Sequence, residues 1–289
     1  MLERCALGLM WLLHFLPLGA LSRVGEGFGI VLYVLAAERR NVCRINLERC
    51  FPHLSAAHRK RLVHAHFRAQ GRSILERSLL WWASRERIMR LVRLAGLENL
   101  EPELGKPIIV LVPHFVGLDA GGTRLGCEYD WSAIYAKQKS RLMTDMLVRG
   151  RTRFGKQRLF SRQDGIRAAI RSLREGVPLY YLPDQDYGPR DTIFVPFFGV
   201  PAATITGLSR LAAMTGARVV PCVTRMLPGG RGYEARFYPA WENFPGGDLE
   251  ADARRMNAFI EERVHEMPEQ YNWMHKRFKT RPAGEPKWY

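Results

Sequence analysis

Cysteine is scarce in this sequence and badly placed for cross-linking: Cys5, Cys43, Cys50, Cys127 and Cys222 are odd in number, scattered, and contain no C-x-x-C pair. That argues against a disulfide framework and a cysteine zinc site, and fits reduced thiols facing the cytoplasm. No P-loop or G-x-G-x-x-G is present. The stretch Gly229-Gly230-Arg231-Gly232 lies between two apolar runs and reads as a hairpin loop rather than a phosphate cradle. The lack of a G-x-S-x-G elbow argues against a serine nucleophile on an α/β-hydrolase sheet. His58, His64 and His66 do not share a metal-binding helix face, so no metal is assigned. Internal repeats and low-complexity segments are missing too. Acidic residues are few, 28 against 44 basic ones, for a net charge of +16. Such a surface suits an acidic partner, whether nucleic acid, anionic membrane or acidic carrier protein; charge alone does not choose.

What the chain does have begins with two apolar runs. Cys5 to Leu21 carries Trp11, Phe15 and several leucines, is broken by His14 and Pro17, and is short for a spanning helix. A signal peptide is the rival reading, with Arg4 as its basic end and Leu18-Gly19-Ala20 as a small-residue cleavage site. Gly27 to Ala37 supplies a second apolar run followed by dense arginines, which favours an uncleaved anchor that spans the bilayer or lies in its interface. From Ser55 to Leu94 a helical pattern interleaves arginines with Leu79, Leu80, Trp81 and Trp82. That suits either a membrane interface or an amphipathic helix covering a sheet.

After Gly96 apolar runs alternate with helical patterns: strands at Ile108 to Val112, Trp131 to Ala136, near Leu159, and at Val177 to Leu182, with helices between. Strands at Arg218 to Met226 and Tyr233 to Tyr238 and a closing helix at Leu249 to Glu266 follow. The expected architecture is α/β, a mostly parallel central sheet flanked by helices, preceded by an N-terminal apolar helical anchor. The expected division is an anchoring segment over 1–40 and a catalytic domain over 41–289, arginine-rich and helical to 95, α/β from 96.

The chemistry is expected where the first buried strand ends. Pro113 closes it, and His114 and Asp119 follow. Five positions on one helix diverge by about 140°, so a turn must separate the two before a carboxylate can reach the imidazole. With His114 on the loop and Asp119 in the first helical turn, they form a base and its orienting partner. The alternative is a surface pair with no catalytic part. Tyr180 to Pro189 mirrors this arrangement, an apolar strand, a proline, then Asp184 and Asp186, which either hold a metal or cap a turn before Gly188. Arg149, Arg151, Arg153, Lys156 and Arg158 form a basic cluster suited to phosphate or to a solvated helix end. A base without a nearby nucleophile suits direct attack by a substrate hydroxyl on an activated acyl group.

An ordered set of motifs resembles the late acyltransferases of bacterial lipid A biosynthesis, within the H-x4-D glycerolipid acyltransferases. It comprises Asn46-Leu47, Cys50-Phe51-Pro52, His114 to Asp119, Pro183 to Gly188, Val195 to Gly199, Ala203-Thr204, Pro268 to Tyr271 and Trp273 to Pro282, and covers nearly the whole chain. The resemblance implies transfer of a fatty acyl chain, typically lauroyl, from acyl carrier protein to a hydroxyacyl chain of a lipid A precursor, without a cofactor. It places the enzyme on the bacterial inner membrane, with its catalytic domain facing the cytoplasm and anionic lipids as partners. His114 becomes the base and Asp119 its partner; Arg151 binds phosphate or an oxyanion, and Asp184 orders the site. Lauroyl members carry Glu where this chain has Asp119, and the wider superfamily's E-G-T-R block is absent, since Glu175-Gly176 is followed by Val177-Pro178. Two rival classes are a non-catalytic anionic-lipid binder and a nucleic-acid binder; the latter has no binding motif here, and no nucleic acid is expected as partner.

Overall fold

The structure is a computed structural model that describes residues 2–137 and 140–289. Its elements in order are α1 (Leu2–Leu13), α2 (Leu18–Leu35), α3 (Ala37–Cys50), α4 (Ala56–Trp82), α5 (Arg85–Leu91), β1 (Val92–Ala95), β2 (Ile108–Leu111), α6 (Leu118–Leu125), β3 (Ser132–Tyr135) and α7 (Arg141–Arg151). They continue with β4 (Arg158–Ser161), α8 (Arg167–Arg174), β5 (Leu179–Tyr181), β6 (Thr192–Phe197), β7 (Val200–Ile205), α9 (Gly207–Thr215), β8 (Arg218–Met226), β9 (Tyr233–Phe237) and α10 (Leu249–Glu266).

Seven strands form one sheet in the order β1-β9-β8-β2-β5-β3-β4. Every pairing in it is parallel except β8 with β9. This is the mostly parallel α/β architecture expected, and the antiparallel exception is the hairpin closed by the loop at Gly229 to Gly232. All four residues of β2 are fully buried, as an unalternating apolar run requires. One face of β2, Ile109 and Leu111, packs with Leu173 of α8, Leu211 of α9 and Ile260 of α10. The other, Ile108 and Val110, packs with Leu125 of α6 and Trp131.

Two elements depart from expectation. The helical pattern does not run to Leu94: after α5 the chain turns into β1, which pairs with β9 over Val92 to Ala95. Pairing with a strand some 140 residues away overrides local periodicity here. The ribbon β6-β7 was not expected; it carries Pro196 and Pro201, which face each other in the register, and proline inside a run discourages a strand reading. Several arginines of the 55–94 stretch turn inward as staples. Arg72 is buried against Glu76, which also receives Ser22 of α2 and Tyr233, and Arg85 and Arg87 donate to backbone carbonyls of Cys127, His14 and Leu16.

Helix α2 is long and apolar enough to cross a membrane, with a mean hydropathy of 1.4. It lies along α4. Gly25 and Gly29 meet Gly71 backbone to backbone, Tyr33 stacks on His64, and Glu26 pairs with Arg68. A Cβ on Gly71 would fall on the Gly25 carbonyl and the Gly29 amide, backbone that cannot step aside. We expect Gly71→Leu to separate the helices and lower stability by about 1–3 kcal/mol, the usual cost of overpacking. Gly27→Ala, which meets nothing within 4 Å, should be neutral or stabilising by up to about 1 kcal/mol. Thermal melts of the two variants check this.

Candidate functional site

The parallel register of β2 and β5 pairs Leu111 with Tyr181. Each strand then runs one residue to a proline, Pro113 or Pro183, and the next residue is His114 or Asp184. Equal offsets from a paired position bring these two side chains face to face at the carboxyl ends of the strands, where α/β sheets form sites. Asp184 is fully buried and uses both oxygens on His114: Oδ2 accepts the backbone N–H at 2.9 Å, and Oδ1 lies 2.6 Å from Nδ1. The bond fixes the tautomer with the proton on Nδ1 and leaves Nε2 its lone pair. Burial works to raise the Asp184 carboxyl, but the charge and hydrogen bonds of His114, with Arg277 nearby, leave it below the ordinary carboxylate range.

The expectation that Asp119 orients the imidazole is corrected: that contact belongs to Asp184. Asp119 does sit in the first turn of α6, but its short side chain reaches two guanidiniums instead, Arg151 Nη2 at 2.6 Å and Arg77 Nη2 at 3.3 Å. Burial would raise this carboxyl; the two arginines outweigh it and, with His114 nearby, hold it at about 2. Asp119 is therefore ionised throughout the neutral range, and its pairing would be lost only as pH falls towards about 2. Arg77 lies on α4, where the sequence alone shows it as one more arginine among the apolar residues of a helix. One carboxylate between two guanidiniums leaves a net positive charge beside the imidazole.

The rest of the basic cluster disperses. Arg153 donates to the carbonyls of Leu80 and Ala83 and Arg158 pairs with Glu175, so that of this cluster's described residues Arg151 is the one that reaches Asp119. Asp186 caps the turn, accepting from Gly188 N–H at 2.9 Å. Among the described residues no group of His, Cys, Asp and Glu is arranged to hold a metal.

Two cavities meet at His114, Asp119 and Arg151. The larger, about 730 Å³, occupies a fork in the sheet. Strands β3 and β5 pair only at Ser132–Leu179 and Ala133–Tyr180, while β3 stays with β4 to its end. Ile134, Tyr135, Tyr181 and Leu182 line the space beyond, with Trp131 and Leu211. Its volume admits a small-molecule-sized ligand, and these largely apolar walls suit an apolar one. The smaller, about 290 Å³, is lined by Arg77, Leu80, Trp81, Met143 and Leu147.

The C-terminal segment holds both halves of the site. Asn272 N–H donates to the His114 carbonyl at 2.9 Å, and Thr280 bonds Asp186 through its amide at 2.6 Å and its hydroxyl at 2.8 Å. His275 Nε2 accepts the Asp186 N–H at 3.0 Å. Buried Asn46 donates to the carbonyls of Trp273 and His275, both at 2.8 Å, and buried Arg277 donates to Ala203 and Thr204. Sequence reasoning singled out these stretches as motifs without assigning their roles.

The chain matches the family model described as bacterial lipid A biosynthesis acyltransferase over residues 3–280. It is 36% identical to the lipid A biosynthesis lauroyltransferase of Escherichia coli K12, covering 98% of this chain and 93% of that one. The palmitoleoyltransferase of the same organism is 32% identical, with 98% and 92% covered, and its myristoyltransferase 33% identical, with 92% and 81% covered. Among solved structures, the 1-acyl-sn-glycerophosphate acyltransferase of Thermotoga maritima matches with a TM-score of 0.40 at 17% identity, over 86% of this chain and 97% of that one.

Burial lowers both His275 and His66 to about 4 from 6.5. Between those values the unfolded chain binds protons that the folded chain refuses, so stability falls as pH drops from about 6.5 to 4. Melting temperatures across that window should decline, and His275→Gln should flatten the decline; an equal slope in the variant removes His275 from the explanation.

Proposed function

This chain belongs to the bacterial lipid A biosynthesis acyltransferase family, and from that premise we propose that it transfers a fatty acyl chain, lauroyl, from acyl carrier protein to a hydroxyl of a lipid A precursor, with His114 as general base. The observation that carries this reading is the imidazole fixed through Nδ1 by Asp184, its Nε2 without a hydrogen-bond partner among the described residues, at the junction of two cavities. The acyl chain of the donor takes the larger cavity and the acceptor hydroxyl approaches through the smaller. Nε2 removes the hydroxyl proton as the oxygen attacks the thioester carbon. The charge that develops on the carbonyl oxygen meets Arg151 and Arg77, both preset by Asp119. The carbon–sulfur bond then breaks, and the imidazolium returns the proton to the departing thiolate. No acyl-enzyme is required, because among the described residues Nε2 has no serine, threonine or cysteine on it. The lauroyl assignment rests on the name of the relative at 36% identity; palmitoleoyl- and myristoyltransferases at 32% and 33% are the alternatives.

For location we propose the cytoplasmic face of the inner membrane, with residues 1–40 as the anchor against anionic lipid and residues 41–289 as the catalytic domain. Leu9, Trp11, Leu12 and Phe15 of α1 and the turn after it, with Val31, Val34 and Leu35 of α2, stand exposed. Because α2 is joined to α4, a crossing would carry Arg68, Arg72 and Glu76 into hydrocarbon; an interfacial placement does not. Trp11→Glu combined with Phe15→Glu should sharply reduce sedimentation of the purified chain with anionic vesicles.

The activity test mixes purified chain, radiolabelled lipid precursor and lauroyl carrier protein, and follows product by chromatography. His114→Ala should lose about 10²–10⁴-fold in kcat. Asp184→Asn should fall comparably, since an amide does not enforce the same tautomer. Full activity in His114→Ala would sink the reading.

A further inference from the structure

The larger cavity is lined by His114 and also by residues where α8, α9 and the segment after β5 come together, and the exposed side chains there mark a mouth. Arg162, Arg190 and Arg210 line it, with Ile166 and Met214 exposed beside them. Next to the mouth α8 presents Arg167, Arg171 and Arg174 at spacings of four and three, which place them on one helix face. Ala169, Ser172 and Leu173 are buried on the other. Arg167, Arg171 and Arg190 have no carboxylate partner among the described residues. Among the described residues Arg210 has only the exposed Asp191 at 3.7 Å, a contact worth little in water. Glu175 is engaged by Arg158. The result is a strongly positive rim that also exposes two apolar side chains.

We propose that this rim docks an acidic, helical carrier protein whose flexible arm passes the acyl thioester into the cavity. This rests on the carrier-bound donor of the proposed function. A stripe of three arginines on one face complements an acidic helix laid beside it, and Ile166 and Met214 give that helix an apolar contact over the opening. A bilayer is the poorer fit. The rim offers it little to insert, whereas the exposed apolar side chains suited to lipid are on α1 and α2, which pack against α4. Donor and acceptor then arrive by separate openings. The carrier stays at the arginine rim while the lipid approaches past Arg77 and Trp81, and only the arm and acyl chain reach His114.

The test uses the full-length chain in detergent with the lipid acceptor and two donors of the same acyl thioester, one on acyl carrier protein and one on pantetheine. Arg167 and Arg171 do not line either cavity. In Arg167→Glu/Arg171→Glu the KM for the carrier-borne donor should rise about tenfold or more with kcat little changed, because the contact steers encounter rather than chemistry. Kinetics with acyl-pantetheine should match wild type, which also shows the variant is folded. Unchanged carrier KM overturns the docking surface while leaving the donor reading intact. Equal loss with both donors overturns it too, as does lost binding to phosphatidylglycerol vesicles with carrier kinetics intact, which would assign the rim to the membrane. If wild type turns over acyl-pantetheine but not the carrier-borne donor, the donor reading fails and the surface with it.

Discussion

The site depends on one buried carboxylate holding one histidine twice. Asp184 grips both the backbone and the ring of His114, so the imidazole is located relative to the strand end as well as oriented. A single hydrogen bond to the ring would leave the loop free to shift; two bonds from one rigid group do not. The arrangement is inherited from the sheet, because β2 and β5 are neighbours in register and both break at a proline. The C-terminal segment then fastens the two loops together through Asn272 on one side and His275 and Thr280 on the other. Buried charge is tolerated at Asp184 because each oxygen has a donor.

Charge is arranged in the same economical way around Asp119. The +16 net charge is not simply a basic coat, since several arginines are committed to partners in the fold: Arg72 to Glu76, Arg77 and Arg151 to Asp119, Arg277 to the β7 backbone. Guanidinium groups suit this work because they offer several donors in a fixed plane and do not lose their proton on burial. The arginines left uncommitted on α8 and beside the cavity mouth are for that reason the informative ones.

How much of this was legible in the sequence varied with how local the cause was. The bounds of β8 and α10 follow from an apolar run and a helical pattern, and both strand ends with their prolines stand out as a matched pair. His114, Asp119, Arg151 and Asp184 were all singled out, and all four lie together. Which carboxylate sits on the imidazole was not legible. Sequence proximity favoured Asp119, five residues away, whereas the contact is with Asp184, seventy residues away and made near by register alone. Arg77 was hidden for the related reason that an arginine on an amphipathic helix looks the same whether it faces lipid or a cavity. β1 and the β6-β7 ribbon escaped because their partners, not their own periodicity, make them strands.

The glycine crossing of α2 and α4 has a mechanical corollary. Backbone meets backbone there, with no side chain between to act as a cushion, and α4 itself carries Arg77 to the site. The apolar helices and the imidazole thus belong to one stiff unit rather than a head on a tether. In the proposed membrane setting the reaction would take place at a fixed height above the lipid surface, and an acceptor would have to rise to that level instead of waiting for the enzyme to swing down.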